Sequence, residues 1–176
     1  MKLNNPDLFK QACLVNGAWV QASDGSSFDV INPFDHSRLG AVPLFSAQDT
    51  QNAIEAAEKA WPAWRDMTAK ERAIPLRALY DLIVANVDDL ATILTMEQGK
   101  PLAEARGEIL TGADYILWYA EEARRKYGQV IPPTGPGKQP LTFFQPLVVA
   151  ALLTPRNFPS SMLTRKLAAA LPAGRT

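Results

Sequence analysis

Apolar residues follow three different rhythms along this chain, and each rhythm predicts a different kind of structure. Up to about residue 43 they come in short alternating runs. Leu14, Val15, Ala18, Trp19 and Val20 flank Asn16-Gly17, and Asn-Gly between apolar residues signals a tight hairpin because both turn positions need φ > 0. A second run around Phe28 and Val30 ends at Asn32-Pro33, and a third from Leu39 to Val42 ends at Pro43. Together they predict an antiparallel β-meander.

From residue 46 the spacing becomes helical. Ser46 with Asp49, and Thr68 with Glu71, have the form of capping boxes, in which the cap hydroxyl takes a backbone N–H and the acid reaches back. Ala53, Ala57, Ala60 and Trp64 follow the first box; Ala73, Leu76, Leu79, Leu82 and Ile83 line one face after the second. Pro75 falls inside that second pattern and must either kink the helix or mark its first turn. A third helix starts near Asp88 and stops at Gly99, with Pro101 just beyond. A fourth runs from Pro101 to about Lys126, carrying Glu121/Arg125 and Glu122/Lys126 at i,i+4 spacing. Trp61, Trp64, Trp118 and Tyr119 occur at helical spacings and read as core.

Residues 132–140, rich in Pro and Gly, predict the turn of an extended hairpin with arms Gln129–Ile131 and Leu141–Gln145. The third rhythm follows. Leu147 to Leu153 is apolar without alternation, the pattern of a parallel strand covered on both faces. Thr154–Pro159 is a tight turn and Ser160–Leu171 a helix. Strand, turn and helix in that order form the first step of a doubly wound nucleotide-binding domain, so the fold class is α/β. Three parts are expected: a β-meander and helical part over 1–128, the hairpin over 129–146, and the first β-turn-α unit over 147–176.

Composition narrows the function. With 176 residues, 47% hydrophobic and 20% charged, the chain has the material for one ordinary core. Its 18 basic and 18 acidic residues cancel and form no basic cluster, which argues against nucleic acid and anionic membranes as partners and leaves small molecules or proteins. No stretch approaches the roughly 18 apolar residues of a membrane span, and the polar start MKLNNPDLFKQ lacks an apolar h-region, so a cytoplasmic location is expected. Cys13 is the only cysteine, which excludes an internal disulfide and a multi-cysteine metal site. His36 reads as a solvated loop residue. Gly135-Pro136-Gly137 belongs to the hairpin turn and lacks the strand and helix that a phosphate loop needs.

Val148 to Thr176, VVAALLTPRNFPSSMLTRKLAAALPAGRT, resembles the aldehyde dehydrogenase segment written T-P-W-N-F-P, then a helix, then A-G-C-T. Glu97–Ala105, EQGKPLAEA, and Thr68–Ala73, TAKERA, are similar to blocks of the same family, most of all in its succinate-semialdehyde branch. The resemblance runs over essentially the whole chain. It implies the N-terminal part of the aldehyde dehydrogenase fold and, in the hairpin, an element used for oligomer contacts. It also implies oxidation of an aldehyde to a carboxylate by NAD or NADP, through cysteine attack, hydride transfer, and hydrolysis by a glutamate-activated water. The cysteine, that glutamate and an adenine-binding lysine are expected beyond residue 176, so this chain by itself should be inactive.

Within the matched segment, Asn157 corresponds to the family asparagine whose amide stabilises the negative charge developing on the aldehyde oxygen. Leu153, Thr154, Pro155, Arg156 and Asn157 correspond to the turn at the nicotinamide end of the cofactor, although a plain Pro-rich turn fits the same residues. Arg165 corresponds to an arginine that holds the substrate carboxylate, as a planar guanidinium can do bidentately; a solvated surface arginine beside Lys166 is the other reading. Arg156 and Arg175 stand where the family has Trp and Cys, and Pro172 where it usually has Ala. Two functions follow: a fragment of an NAD(P)-dependent oxidoreductase acting on succinic semialdehyde and homo-oligomeric in full length, or a non-catalytic product that pairs with a full-length homologue.

Overall fold

The computed structural model describes residues 1–176 and begins with two β-hairpins. In the first, β1 (Cys13–Val15) pairs antiparallel with β2 (Ala18–Val20), and Asn16 and Gly17 take φ of 49° and 76°, as a two-residue primed turn requires. In the second, β3 (Ser27–Ile31) pairs with β4 (Arg38–Pro43), with a register shift between Val30 and Ile31. The two hairpins share no ladder, so the expected meander is in detail a pair of separate two-stranded sheets. Between them the chain turns back on itself through Gly25 N–H to Ala22 O (3.0 Å), and Ser23 N–H is taken by the Asp49 carboxylate (3.3 Å).

That carboxylate begins α1 (Ala47–Asp66), and both capping boxes are formed. Ser46 N–H and Oγ both bond Asp49 Oδ2 (2.9 and 2.8 Å), and these bonds, the backbone one foremost, hold the Asp49 carboxyl below its ordinary range. In α2 (Ala69–Ala85) Pro75 is not the first turn, because the helix runs unbroken through it. Pro75 is exposed, where water can take the Glu71 carbonyl that its missing N–H leaves free. α3 (Val87–Gln98) stops at Gly99, whose φ of 82° and N–H to Thr95 O (2.8 Å) form a left-handed C-cap; a Cβ there would lie 2.8 Å from Pro33 Cγ.

α4 (Leu102–Glu122) is the central helix, packed against α2, α3 and α5 (Pro159–Ala170). Its buried face carries Ala105, Ile109, Gly112, Ala113, Ile116 and Ala120. Ile116 meets Leu76 of α2 and Ala168 of α5; burying a side chain as large as Ile or Leu contributes roughly 1.5–3 kcal/mol. At the end of α4 the backbone tightens into a 3-10 turn over Ala123–Arg125, which removes the expected i,i+4 pairs. Arg125 instead meets Glu122 (2.8 Å), and Glu121 meets Arg77 of α2 (3.6 Å). Trp118, expected in the core, is 64% exposed, whereas the half-buried Trp61 and Trp64 donate their indole N–H to Gly174 O (3.0 Å) and Leu171 O (2.9 Å).

The long hairpin is shorter than its pattern suggests: β5 (Gln129–Val130) pairs with β6 (Leu141–Thr142). Residues 147–153 lie in no sheet, and Leu147 and Leu153 are exposed. A parallel strand needs neighbouring strands to cover and pair it, and here the pairing comes from Thr176 alone, whose C=O accepts from Ala150 N–H (2.9 Å) and whose N–H donates to Val148 O (3.4 Å). Those two bonds follow the parallel pattern. The chain therefore leaves an extended segment, passes through α5 and returns alongside it, as in a βαβ unit.

Candidate functional site

A single turn, 153–158, joins the extended segment to α5. Leu153, Thr154, Pro155, Arg156, Asn157 and Phe158 are all exposed, so the five residues singled out from the sequence as a cofactor turn form one accessible surface. An exposed turn beyond the carboxyl end of a strand position, before a helix, is where open α/β folds take their ligands. Leu153 offers an 81% exposed apolar side chain for a flat ring, and Asn157 a carboxamide able to donate to a developing oxyanion. These features fit the nicotinamide end of a dinucleotide.

The turn has few internal bonds and is held from outside. Gln98, at the last position of α3, donates its Nε2 to both Arg156 O (2.8 Å) and Asn157 O (2.9 Å). The ammonium of Lys100, two residues on, lies 3.4 Å from Asn157 O and 4.2 Å from the centre of the Phe158 ring. It also makes a buried ion pair with Glu108 of α4, whose side chain is 1% exposed. The other Glu108 oxygen accepts from the N–H groups of Ser160 (2.9 Å) and Ser161 (3.1 Å) in the first turn of α5. A carboxylate there satisfies two otherwise unpaired donors and complements the positive helix end. Neighbouring Glu97 is partly buried, which pushes its carboxyl up. Lys166 of α5 closes the arrangement from below by donating to Leu153 O.

Arg165 sits apart, about 9 Å along α5 from Pro159 at 1.5 Å per residue. It is exposed, its guanidinium lies against Met162 Sδ and 6.0 Å from the centre of the Tyr115 ring, and its charge is unpaired by any carboxylate. A cleft of about 650 Å³ lies elsewhere, at the other end of α5 among Arg72, Trp118, Phe144, Pro172 and Arg175. It takes in none of the turn. No cluster of three His, Cys, Asp or Glu side chains is placed to hold a metal ion, and no helix is long and apolar enough to cross a membrane. Cys13 lies in β1, half-buried.

The family model for the aldehyde dehydrogenase family matches residues 19–176. The chain belongs to that family. It is 50% identical to a succinate-semialdehyde dehydrogenase [NADP(+)] of Escherichia coli, covering 100% of this chain and 36% of that protein. A glutarate-semialdehyde dehydrogenase of Pseudomonas aeruginosa is 51% identical over the same shares, 100% and 36%. The crystal structure of an aldehyde dehydrogenase from Brucella melitensis biovar abortus superposes with a TM-score of 0.98 at 52% identity, covering 100% of this chain and 36% of that one. The chain therefore spans about a third of the length of the relatives it matches, and it has the N-terminal part of the aldehyde dehydrogenase fold.

Sequence reasoning found this turn but missed the residues that hold it. EQGKPLAEA stood out as a family block without a role, and Glu108, three residues past it, gave no signal at all. In the structure Gln98, Lys100 and Glu108 converge on Arg156–Ser161, so two separate sequence blocks meet at one place.

Proposed function

We propose that this chain forms the N-terminal part of an NAD(P)-dependent dehydrogenase that oxidises a short aldehyde carrying a distal carboxylate, with succinic semialdehyde as the substrate. The observation that carries the reading is the exposed 153–157 turn, clamped through its backbone by Gln98 and leaving the Asn157 carboxamide free to face a ligand. NAD or NADP, when bound, accepts the hydride. This chain's contribution is to orient and stabilise: Asn157 donates an N–H to the aldehyde oxygen as negative charge grows there, Leu153 and Pro155 border the nicotinamide, and Arg165 grips the far carboxylate. Names of the relatives support the substrate class, since both succinate and glutarate semialdehydes have an aldehyde at one end and a carboxylate at the other. Nothing favours the alternative of a non-catalytic partner for a full-length homologue. Homo-oligomerisation of the whole protein through the 129–145 hairpin, and a cytoplasmic location, belong to the same proposal.

The test is to join residues 1–176 to the remainder of the E. coli relative and follow reduction of either cofactor with succinic semialdehyde, glutaric semialdehyde and butanal. The expected result is activity preferring the two acids, reduced ~10²–10³-fold in kcat by Asn157→Ala. An active chimera indifferent to Asn157→Ala, or an inactive one, sinks the reading.

A further inference from the structure

We infer that Gln98, Lys100 and Glu108 are positioning residues that hold Asn157 in place, with Glu108 as the hub. The inference rests on the proposed role of Asn157 for its functional meaning, but its structural content stands alone. Three observations carry it. The Glu108 side chain is buried to 1% exposure in the second turn of the central helix, where an unpaired carboxylate would be strongly disfavoured. It is fully engaged: one oxygen is on Lys100, and the other is shared by the first-turn amides of Ser160 and Ser161. Lys100, which it holds, reaches the Asn157 carbonyl and the Phe158 ring, and Gln98, which Glu108 does not touch, independently bridges the carbonyls of Arg156 and Asn157.

The consequence is geometric. The backbone of Asn157 is fixed on its carbonyl side by α3 and its C-cap segment, and two residues later the chain enters a helix whose start is tied to α4. The intervening span is anchored at both ends, which fixes the point and direction from which the Asn157 side chain leaves the backbone. A donor that stabilises a transition state must already be in place when charge develops, because reorganisation during the reaction would consume the gain. Glu108 never needs to touch substrate or cofactor for this. A carboxylate rather than a neutral group is suited to the hub, since charge-assisted bonds to an ammonium and to helix N-terminal amides are the stronger kind. The short EQGKP block then has a role: Gly99 turns the chain so that Gln98 and Lys100, on either side of it, face the same turn.

Amide hydrogen exchange on the 176-residue chain tests this without any activity measurement. In Glu108→Ala, exchange at Ser160 and Ser161, whose N–H groups the carboxylate takes, should rise roughly 10–100-fold, with protection in α2 unchanged. Glu108→Gln keeps an acceptor for the two amides, so it should restore most of the protection at 160–161. Gln98→Ala leaves the buried ion pair intact and guards against Glu108→Ala failing to fold; because Gln98 bonds only carbonyls of the turn, it should leave Ser160 and Ser161 protected. If Glu108→Ala does not raise exchange at Ser160 and Ser161 relative to α2, or if Glu108→Gln is as loose as Glu108→Ala, the inference is wrong. The active chimera adds a second readout. There Gln98→Ala should lower kcat about 10-fold with KM within about twofold, and an unchanged kcat also overturns positioning. An inactive unmutated chimera would count against the dehydrogenase reading instead, and the exchange data would still decide whether Glu108 holds the start of α5 behind the turn.

Discussion

The seat of α5 on α4 should be sensitive to a single methyl group. Gly112 is buried in α4, and a Cβ added there would lie 2.7 Å from Thr164 Oγ1 and 3.5 Å from Ser161 Cα. That is 0.7 Å short of the 3.4 Å at which ordinary contact begins (3.4 − 2.7). Thr164 cannot swing aside freely, because its hydroxyl is bonded to Ser160 O (3.0 Å) within α5 and its β-branched side chain has few rotamers in a helix. Two effects oppose each other in Gly112→Ala. Helix propensity favours the change by about 1 kcal/mol, and overpacking disfavours it by about 1–3 kcal/mol. Overpacking should prevail, leaving the variant about 1 kcal/mol less stable. Thr164→Ala alone should cost little, because Ser160 O and Ser161 O, the acceptors of its hydroxyl, keep the helix's own N–H donors. Combined, the two substitutions remove the clash and keep the propensity gain, so the double variant should be as stable as the parent or about 1 kcal/mol more stable. The coupling, about 1–3 kcal/mol, is readable from urea unfolding followed by the fluorescence of half-buried Trp61 and Trp64. A single Gly112→Ala variant at least as stable as the parent, or a coupling below about 0.3 kcal/mol, would refute the claim that α4 and α5 approach too closely for a side chain.

Three further outcomes are expected. In the active chimera, Arg165→Ala should raise KM for succinic semialdehyde about 10-fold or more and leave KM for butanal nearly unchanged, since one guanidinium–carboxylate contact contributes roughly 1.5–3 kcal/mol; equal effects on both would make Arg165 a surface charge. Arg156→Trp should tighten binding of the oxidised cofactor several-fold by removing a positive charge beside the positive nicotinamide, an effect moderated by the exposure of Arg156, and identical titrations of the two versions would show that this charge is not felt. Burial raises the Glu97 carboxyl, so its ionisation opposes folding: the penalty is absent below the unfolded value near 4.5 and complete above the folded one. Glu97→Gln should therefore raise Tm at about pH 8 and lose that advantage by about pH 4, and a pH-independent difference would contradict the burial argument.

What the sequence determined by itself was whatever depends on residues within a turn or two of each other. Asn16-Gly17, the capping boxes at Ser46 and Thr68, and the Gly99 stop were all legible because the side chain and the backbone group it serves lie within four positions. The family blocks were legible too, and they located the 153–157 turn. Tertiary structure decided the rest. Glu108 looks like any charged residue of an amphipathic helix until Ser160, 52 positions away, is brought to it. Trp118 has the spacing of a core residue, but it falls on the side of α4 that α2, α3 and α5 leave open. The link between the two hairpins is tied to α1 through Asp49 and Ser23, again a distant pair. Residues 147–153 show the limit most directly. Their apolar run specifies burial on two faces, yet a strand's hydrogen bonds and cover come from other strands, and here only Thr176 supplies any of them.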